Sequence, residues 1–190
     1  MAILRKAKYS MKKLKTDRLI LRPWKKSDLD DLYEYSSVPG VGEMAGWPRH
    51  QSKEESAEIL RRFIDKGDGY AMVLKENKKV IGSLGIHDGS LDVNFKANTQ
   101  KTIGFVLSKT YWGRGLATEA AQAAINYAFL KLNIDVLWCE HFAENPQSKK
   151  VIEKCGFVFY GKGTHDSELL GKSFVTMKYV MTKNDYKAIM

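Results

Sequence analysis

The feature that most constrains this chain is a junction: Trp112-Gly113-Arg114-Gly115-Leu116-Ala117-Thr118 stands between a strand-like run at 102–108 and a helical stripe at 116–132. Leu116, Ala120, Ala124, Ala128 and Leu132, with Ala121, Ile125 and Phe129, recur at the helical period, so the second segment is a helix whose small residues admit close approach to a sheet. A strand entering such a helix through two glycines turns backbone N–H groups inward with no side chain in the way. The helix amino terminus adds about half a positive charge, so the turn is an anion cradle suited to a pyrophosphate.

The elements ahead of the junction are antiparallel in character. Leu19 and Leu21 alternate with Arg18 and Arg22 before Pro23, which predicts a first strand. Ser27 and Asp30 approximate a capping box for a short helix carrying Leu29, Leu32 and Tyr33, and Ser52 with Glu55 caps a longer one that stops at Gly67. Between them, 38–48 holds two prolines and several glycines and is a loop bearing Met44 and Trp47. Runs at 70–75 and 79–87, joined by Glu76-Asn77-Lys78, form a hairpin, and 88–98 is a polar loop. After the glycine turn, 136–142 is a strand reached by a right-handed crossover and so parallel to 102–108. Asn145-Pro146 then starts a helix that Gly156 closes, and 157–161 and 174–182 complete the strands. The class is mixed α and β in a single domain at 14–190, after a basic arm at 1–13.

Three schemes compete for the cradle. A nucleoside-triphosphate loop requires Gly-Lys-Ser/Thr, which is absent. A dinucleotide site gains some support from Glu140, placed near the end of the next strand, but Thr118 replaces the third glycine and the preceding strands are antiparallel. The third scheme uses the motif one crossover downstream, Asn145-Pro146-Gln147-Ser148 with Lys154-Cys155-Gly156-Phe157.

With that second motif the chain resembles the GNAT superfamily of acetyl-CoA-dependent N-acetyltransferases. Thr16-Asp17-Arg18-Leu19-Ile20-Leu21-Arg22-Pro23 and Tyr111-Trp112-Gly113-Arg114-Gly115-Leu116-Ala117-Thr118-Glu119-Ala120 are most similar to its ribosomal-protein-alanine N-acetyltransferase branch, across about residues 14–182. One position departs: Thr110 stands where the family often carries Gln or Arg. The resemblance implies a mostly antiparallel central sheet with one parallel, splayed strand pair and helices on both faces. It also implies that Phe105, Val106 and Leu107 pair with the pantetheine of acetyl-CoA, and that Gly113, Arg114, Gly115, Leu116, Ala117 and Thr118 hold the pyrophosphate. Asn145 is then a cap with a further cofactor contact, and Ser148 the donor to the leaving thiolate.

The remaining chemistry is an amine attacking a thioester, which needs a base, an oxyanion donor and an acid. Val106 N–H is the expected oxyanion donor. Glu168, His141, His87, Glu140 and a water chain stay open as the base, Glu168 being one residue out of the branch's spacing. Trp47 and His87 are the expected acceptor contacts, within a pocket shaped by 38–50 and 163–173. The acceptor is a primary amine, on a protein amino terminus or a small molecule. A non-catalytic acyl-CoA-binding or ribosome-associated module is the alternative from another class.

Composition narrows the setting. The net charge is +9, of which Arg5, Lys6, Lys8, Lys12, Lys13 and Lys15 supply six, so it marks a solvated arm rather than a nucleic-acid surface, and residues 1–10 read as an addition upstream of Met11. Cys139 and Cys155 form no Cys-x-x-Cys pair and no metal-ligand cluster, so neither a metal nor a disulfide is expected. No apolar run crosses a bilayer and no export signal is visible, so the expected location is the cytoplasm and the expected assembly a monomer or homodimer.

Overall fold

The computed structural model describes residues 11–190, so Arg5, Lys6 and Lys8 of the basic arm lie outside the described residues. The elements in chain order are β1 (Leu14–Lys15), β2 (Leu19–Pro23), α1 (Leu29–Ser36), α2 (Lys53–Lys66), β3 (Gly69–Leu74), β4 (Val80–Asp88) and β5 (Gln100–Leu107). They continue as α3 (Leu116–Leu130), β6 (Val136–Phe142), α4 (Pro146–Lys154), β7 (Val158–Ser167), β8 (Lys172–Thr182) and α5 (Lys183–Ala188). The eight strands of the described residues form one sheet in the order β1-β2-β3-β4-β5-β6-β8-β7. Every pairing is antiparallel except β5 with β6, the pair that the crossover through α3 predicts.

Period-two alternation sorts the sheet's side chains to two cores. On β3, Tyr70, Met72 and Leu74 join the cluster beneath α3, α4 and α5, while Ala71 and Val73 join Leu32, Tyr35 and Leu60 beneath α1 and α2. Ala120, Ala124 and Ala128 are fully buried, which is where the small face of α3 meets the sheet. Helices therefore cover both faces, and the dinucleotide reading fails because its doubly wound parallel sheet is not present.

Local signals held where side chains can close their own turns. Ser52 accepts from Glu55 N at 3.2 Å and Gly67 ends α2 at φ 61°, although the Glu55 carboxylate reaches Gln51 N rather than Ser52. Ser27 is not the cap of α1; a 3₁₀ turn at Lys26–Asp28 precedes the helix. There Asp28 accepts from Lys25 N at 2.8 Å and takes a two-pronged ion pair from Arg22 at 2.7 and 2.8 Å, so the buried charge pair sets this turn. The strands expected at 157–161 and 174–182 extend through the intervening region as one hairpin: β7 and β8 stay in register from Gly161↔Lys178 to Ser167↔Lys172. Its residues are mostly exposed, so no apolar alternation marks them as strand.

Candidate active site

The site forms where β5 and β6 part. Their parallel register holds at Gln100↔Val136, Lys101↔Leu137 and Thr102↔Trp138, after which β6 stays with β8 as far as Phe142↔Thr176 and β5 stays with β4. A gap opens between Phe105–Leu107 on one side and 139–142 on the other, and a cavity lies at each end of it. The first is about 270 Å³, the second about 310 Å³, and both are bordered by Met44, Ala45, Phe105, Val106 and Ser148.

Gly113, Gly115, Leu116, Ala117 and Thr118 line the first cavity. Gly113 and Gly115 both take φ 75°, in the left-handed region that costs other residues about 1–2 kcal/mol, and Gly115 is the N-cap of α3 with no side chain closing it. The first-turn N–H groups of α3 are thus offered to the cavity, as an anion requires. Arg114 does not border it: its guanidinium lies over Tyr111, 5.2 Å from the ring centroid, and its carbonyl accepts from Arg18 Nη1 at 2.9 Å. Two cations missed in the sequence do border it, Lys150 and Lys154, one turn apart on α4. That i, i+4 spacing on a helix already assigned to the cofactor side was the available signal.

The amino terminus also braces the cradle. Glu119 accepts from Thr16 Oγ1 at 2.5 Å, from Arg18 N at 2.8 Å and from Arg18 Nε at 2.7 Å. Burial pushes the Glu119 carboxyl up, but these donors together outweigh it and hold it below its ordinary 4.5. Asn145, buried, caps α4 by accepting from Ser148 N at 3.0 Å and donates to Met44 O at 3.3 Å, tying the 38–50 loop to the gap.

Backbone direction along β5 follows from two hydrogen bonds. Ser108 N donates to Ile81 O at 2.8 Å, and Thr99 O accepts from Val136 N at 3.2 Å. Alternation then turns the amide of Val106 toward β4, and those of Phe105 and Leu107 toward the gap. Val106, the expected oxyanion donor, therefore turns its amide away from the gap. Leu107 O already accepts from Trp112 Nε1 at 2.7 Å.

The second cavity brings together Trp47, His87, Glu140, His141 and Ser148, with Trp24, Phe63, Asp68 and His165, which the sequence did not single out. Glu140 and His141 both border it, because the parted edge of β6 faces the gap rather than one side of a regular sheet. The His141 ring is buried, and its Nδ1 donates to Phe142 O at 2.7 Å, leaving Nε2 without a protein partner. Glu168 is not part of this assembly: it follows the end of β7 in the hairpin turn, is exposed, and borders neither cavity. Cys139 also borders the second cavity, yet burial pushes its thiol far up; burial likewise pushes Cys155 up to about 12. Among the described residues no cluster of metal ligands occurs, and no helix is long and apolar enough to cross a membrane.

An uncapped helix end, paired left-handed glycines and a splayed parallel strand pair define an acyl-CoA N-acyltransferase fold. The family profile described as an acetyltransferase (GNAT) domain matches residues 18–158, and the chain belongs to that family of acetyl-CoA-dependent N-acetyltransferases. It is 26% identical over 181 residues to the uncharacterized N-acetyltransferase p20 of Bacillus licheniformis, covering 93% of this chain and 99% of that one. Among solved structures it is similar to a GNAT-family acetyltransferase from Bacillus anthracis, with TM-score 0.78 and 20% identity over 91% of this chain and 99% of that one. It is also similar to a putative ribosomal-protein-serine acetyltransferase from Vibrio cholerae, with TM-score 0.72 and 16% identity over 91% and 98%. A spermidine N-acetyltransferase from the same organism, in complex with CoA and spermine, gives TM-score 0.69 and 19% identity over 90% and 98%. Protein-directed and polyamine-directed relatives thus share the fold about equally.

Proposed function

We propose that the chain transfers acetyl from acetyl-CoA in the first cavity directly to a primary amine presented from the second, and that the amine is the α-amine of a peptide or protein amino terminus. The carrying observation is that the two cavities meet at Phe105, Val106 and Ser148, so donor and acceptor reach the gap from opposite ends. Gly113, Gly115 and the first turn of α3 hold the pyrophosphate, with Lys150 and Lys154 supplying charge. Phe105 N–H faces the carbonyl oxygen on which charge develops, and the Ser148 hydroxyl gives its proton to the departing sulfur. Raised thiols at Cys139 and Cys155 disfavour an acetyl-cysteine step.

One side chain favours a peptide over a polyamine. Trp24 is 5% exposed, borders the second cavity, and its Nε1 has no protein partner. A peptide brings a carbonyl that can accept from that N–H, whereas protonated polyamines only donate. Thiol release from acetyl-CoA with a panel of short peptides, spermidine and spermine tests this. Turnover with peptides is expected to exceed that with both polyamines, and Trp24→Phe is expected to erase the preference; faster turnover with spermidine would contradict it.

A further inference from the structure

The second cavity is separated from a third, of about 750 Å³, by two residues that border both: Asp68 and His87. His87 Nδ1 stands 3.1 Å from Asp68 Oδ2, and an ionised carboxylate only accepts, so Nδ1 is the donor of this pair and, in the neutral ring, Nε2 is the nitrogen with the free lone pair. The ring lies down over Gly85: a Cβ built there would stand 2.1 Å from Nε2. Gly85 pairs with Gly104, and a Cβ at Gly104 would meet nothing within 4 Å. An open space next to Phe105 is therefore walled on its β4 side by Nε2 of His87.

We infer that the Asp68–His87 pair is the general base of this acetyltransferase, with the third cavity as the route by which the proton leaves. The inference rests on the acetyltransfer reading above. His87 Nε2 takes a proton from the acceptor ammonium lying over Gly104. The freed amine forms the C–N bond as the C–S bond breaks, and its second proton ends on the departing sulfur through Ser148. One proton remains, on His87, paired with Asp68, and water reaching the pair from the third cavity removes it. Asp68 acts through the imidazole, as a positioning residue.

The rival histidine fits less well. His141 is 6% exposed and its Nδ1 is held by the carbonyl of Phe142 rather than by a carboxylate, so its ring is not oriented as Asp68 orients that of His87. The groups facing the pair from the third cavity are Asp65 and Lys66 at the end of α2 and the ion pair Lys101–Asp88 at 2.6 Å. From the second cavity they are Glu140, His141 and His165. The nearby opposite charges bracket the pair without replacing it.

The test is the pH profile of kcat/KM for wild type, His87→Gln, Asp68→Asn and His141→Gln with a peptide amine, alongside acetyl-CoA binding by calorimetry. None of the three positions borders the first cavity, so all variants are expected to bind acetyl-CoA like wild type. His87→Gln is expected to fall about 100-fold and lose the acid limb of the profile. Asp68→Asn, lacking the carboxylate that orients the imidazole, is expected to lower kcat/KM about tenfold, and to lower it no further once His87 is already Gln. His141→Gln is expected to keep the acid limb, and added imidazole is expected to restore part of the rate of His87→Ala. An acid limb retained by His87→Gln with kcat/KM within about threefold of wild type, or lost instead in His141→Gln, would overturn the assignment. A wild-type chain that binds acetyl-CoA but acetylates no amine would bring down the function and this base together; wild-type turnover beside an unaffected His87→Gln brings down the base alone.

Discussion

At the scale of single residues, the site depends on what three glycines leave out. Gly113 and Gly115 take left-handed backbone that exposes the first turn of α3, and Gly85 makes room for an imidazole to lie flat. Gly104 is different: its φ is not positive and the space above it is open, so the fold does not require its lack of a side chain, and the proposed acceptor would use that space. Gly104→Leu is therefore expected to leave the melting temperature and acetyl-CoA affinity near wild type while raising the acceptor KM by at least about tenfold. An unchanged acceptor KM would place the amine elsewhere. The glycine turn before α3 was legible in the sequence because a strand, two glycines and a helical stripe occur consecutively. Asp68 was not legible: it lies nineteen positions from His87 and meets it only because Gly69 pairs with Gly85 across the β3–β4 hairpin.

At the scale of elements, the Thr16-Asp17-Arg18-Leu19 motif has a structural reason. Thr16 and Arg18 clamp Glu119 in the first turn of α3, and Arg18 also holds the carbonyl of Arg114, so the entry to β2 fixes the cradle loop. The Glu119 carboxyl is held below its ordinary 4.5 in the folded chain, so its contribution to stability is fully present above about pH 4.5 and is lost as pH falls through the lower folded value. Glu119→Gln is expected to melt below wild type at pH 7, with the two curves converging on acidification, and to bind acetyl-CoA more weakly at neutral pH. A melting difference that persists unchanged at low pH would show that the clamp acts by packing alone. Elements whose ends carry their own caps, α2 and α4, were readable within a residue or two. The β7–β8 hairpin was not, because Lys162, Thr164, His165 and Asp166 offer no buried side to betray a strand, and only pairing with β8 makes them one. The acidic candidate Glu168 lies in the turn of that hairpin, away from both cavities.

At the scale of the whole molecule, the sheet performs the chemistry by failing to close. Antiparallel pairing on both flanks holds β5 to β4 and β6 to β8, so the one parallel contact can part beyond Thr102 without unravelling either half. The succession of strands along the chain and the parallel crossover were readable in sequence, and the class of enzyme through the family resemblance; the parting was expected from that resemblance alone, since register belongs to pairs of strands and not to either alone. Donor and acceptor cavities that meet at the gap, with burial pushing both thiols up, support the proposed transfer with both substrates bound at once. The most direct test is initial-rate measurement of thiol release with acetyl-CoA and a peptide amine varied together. The account predicts intersecting double-reciprocal lines and no stoichiometric burst of thiol before amine is added; parallel lines with an amine-independent burst would contradict it.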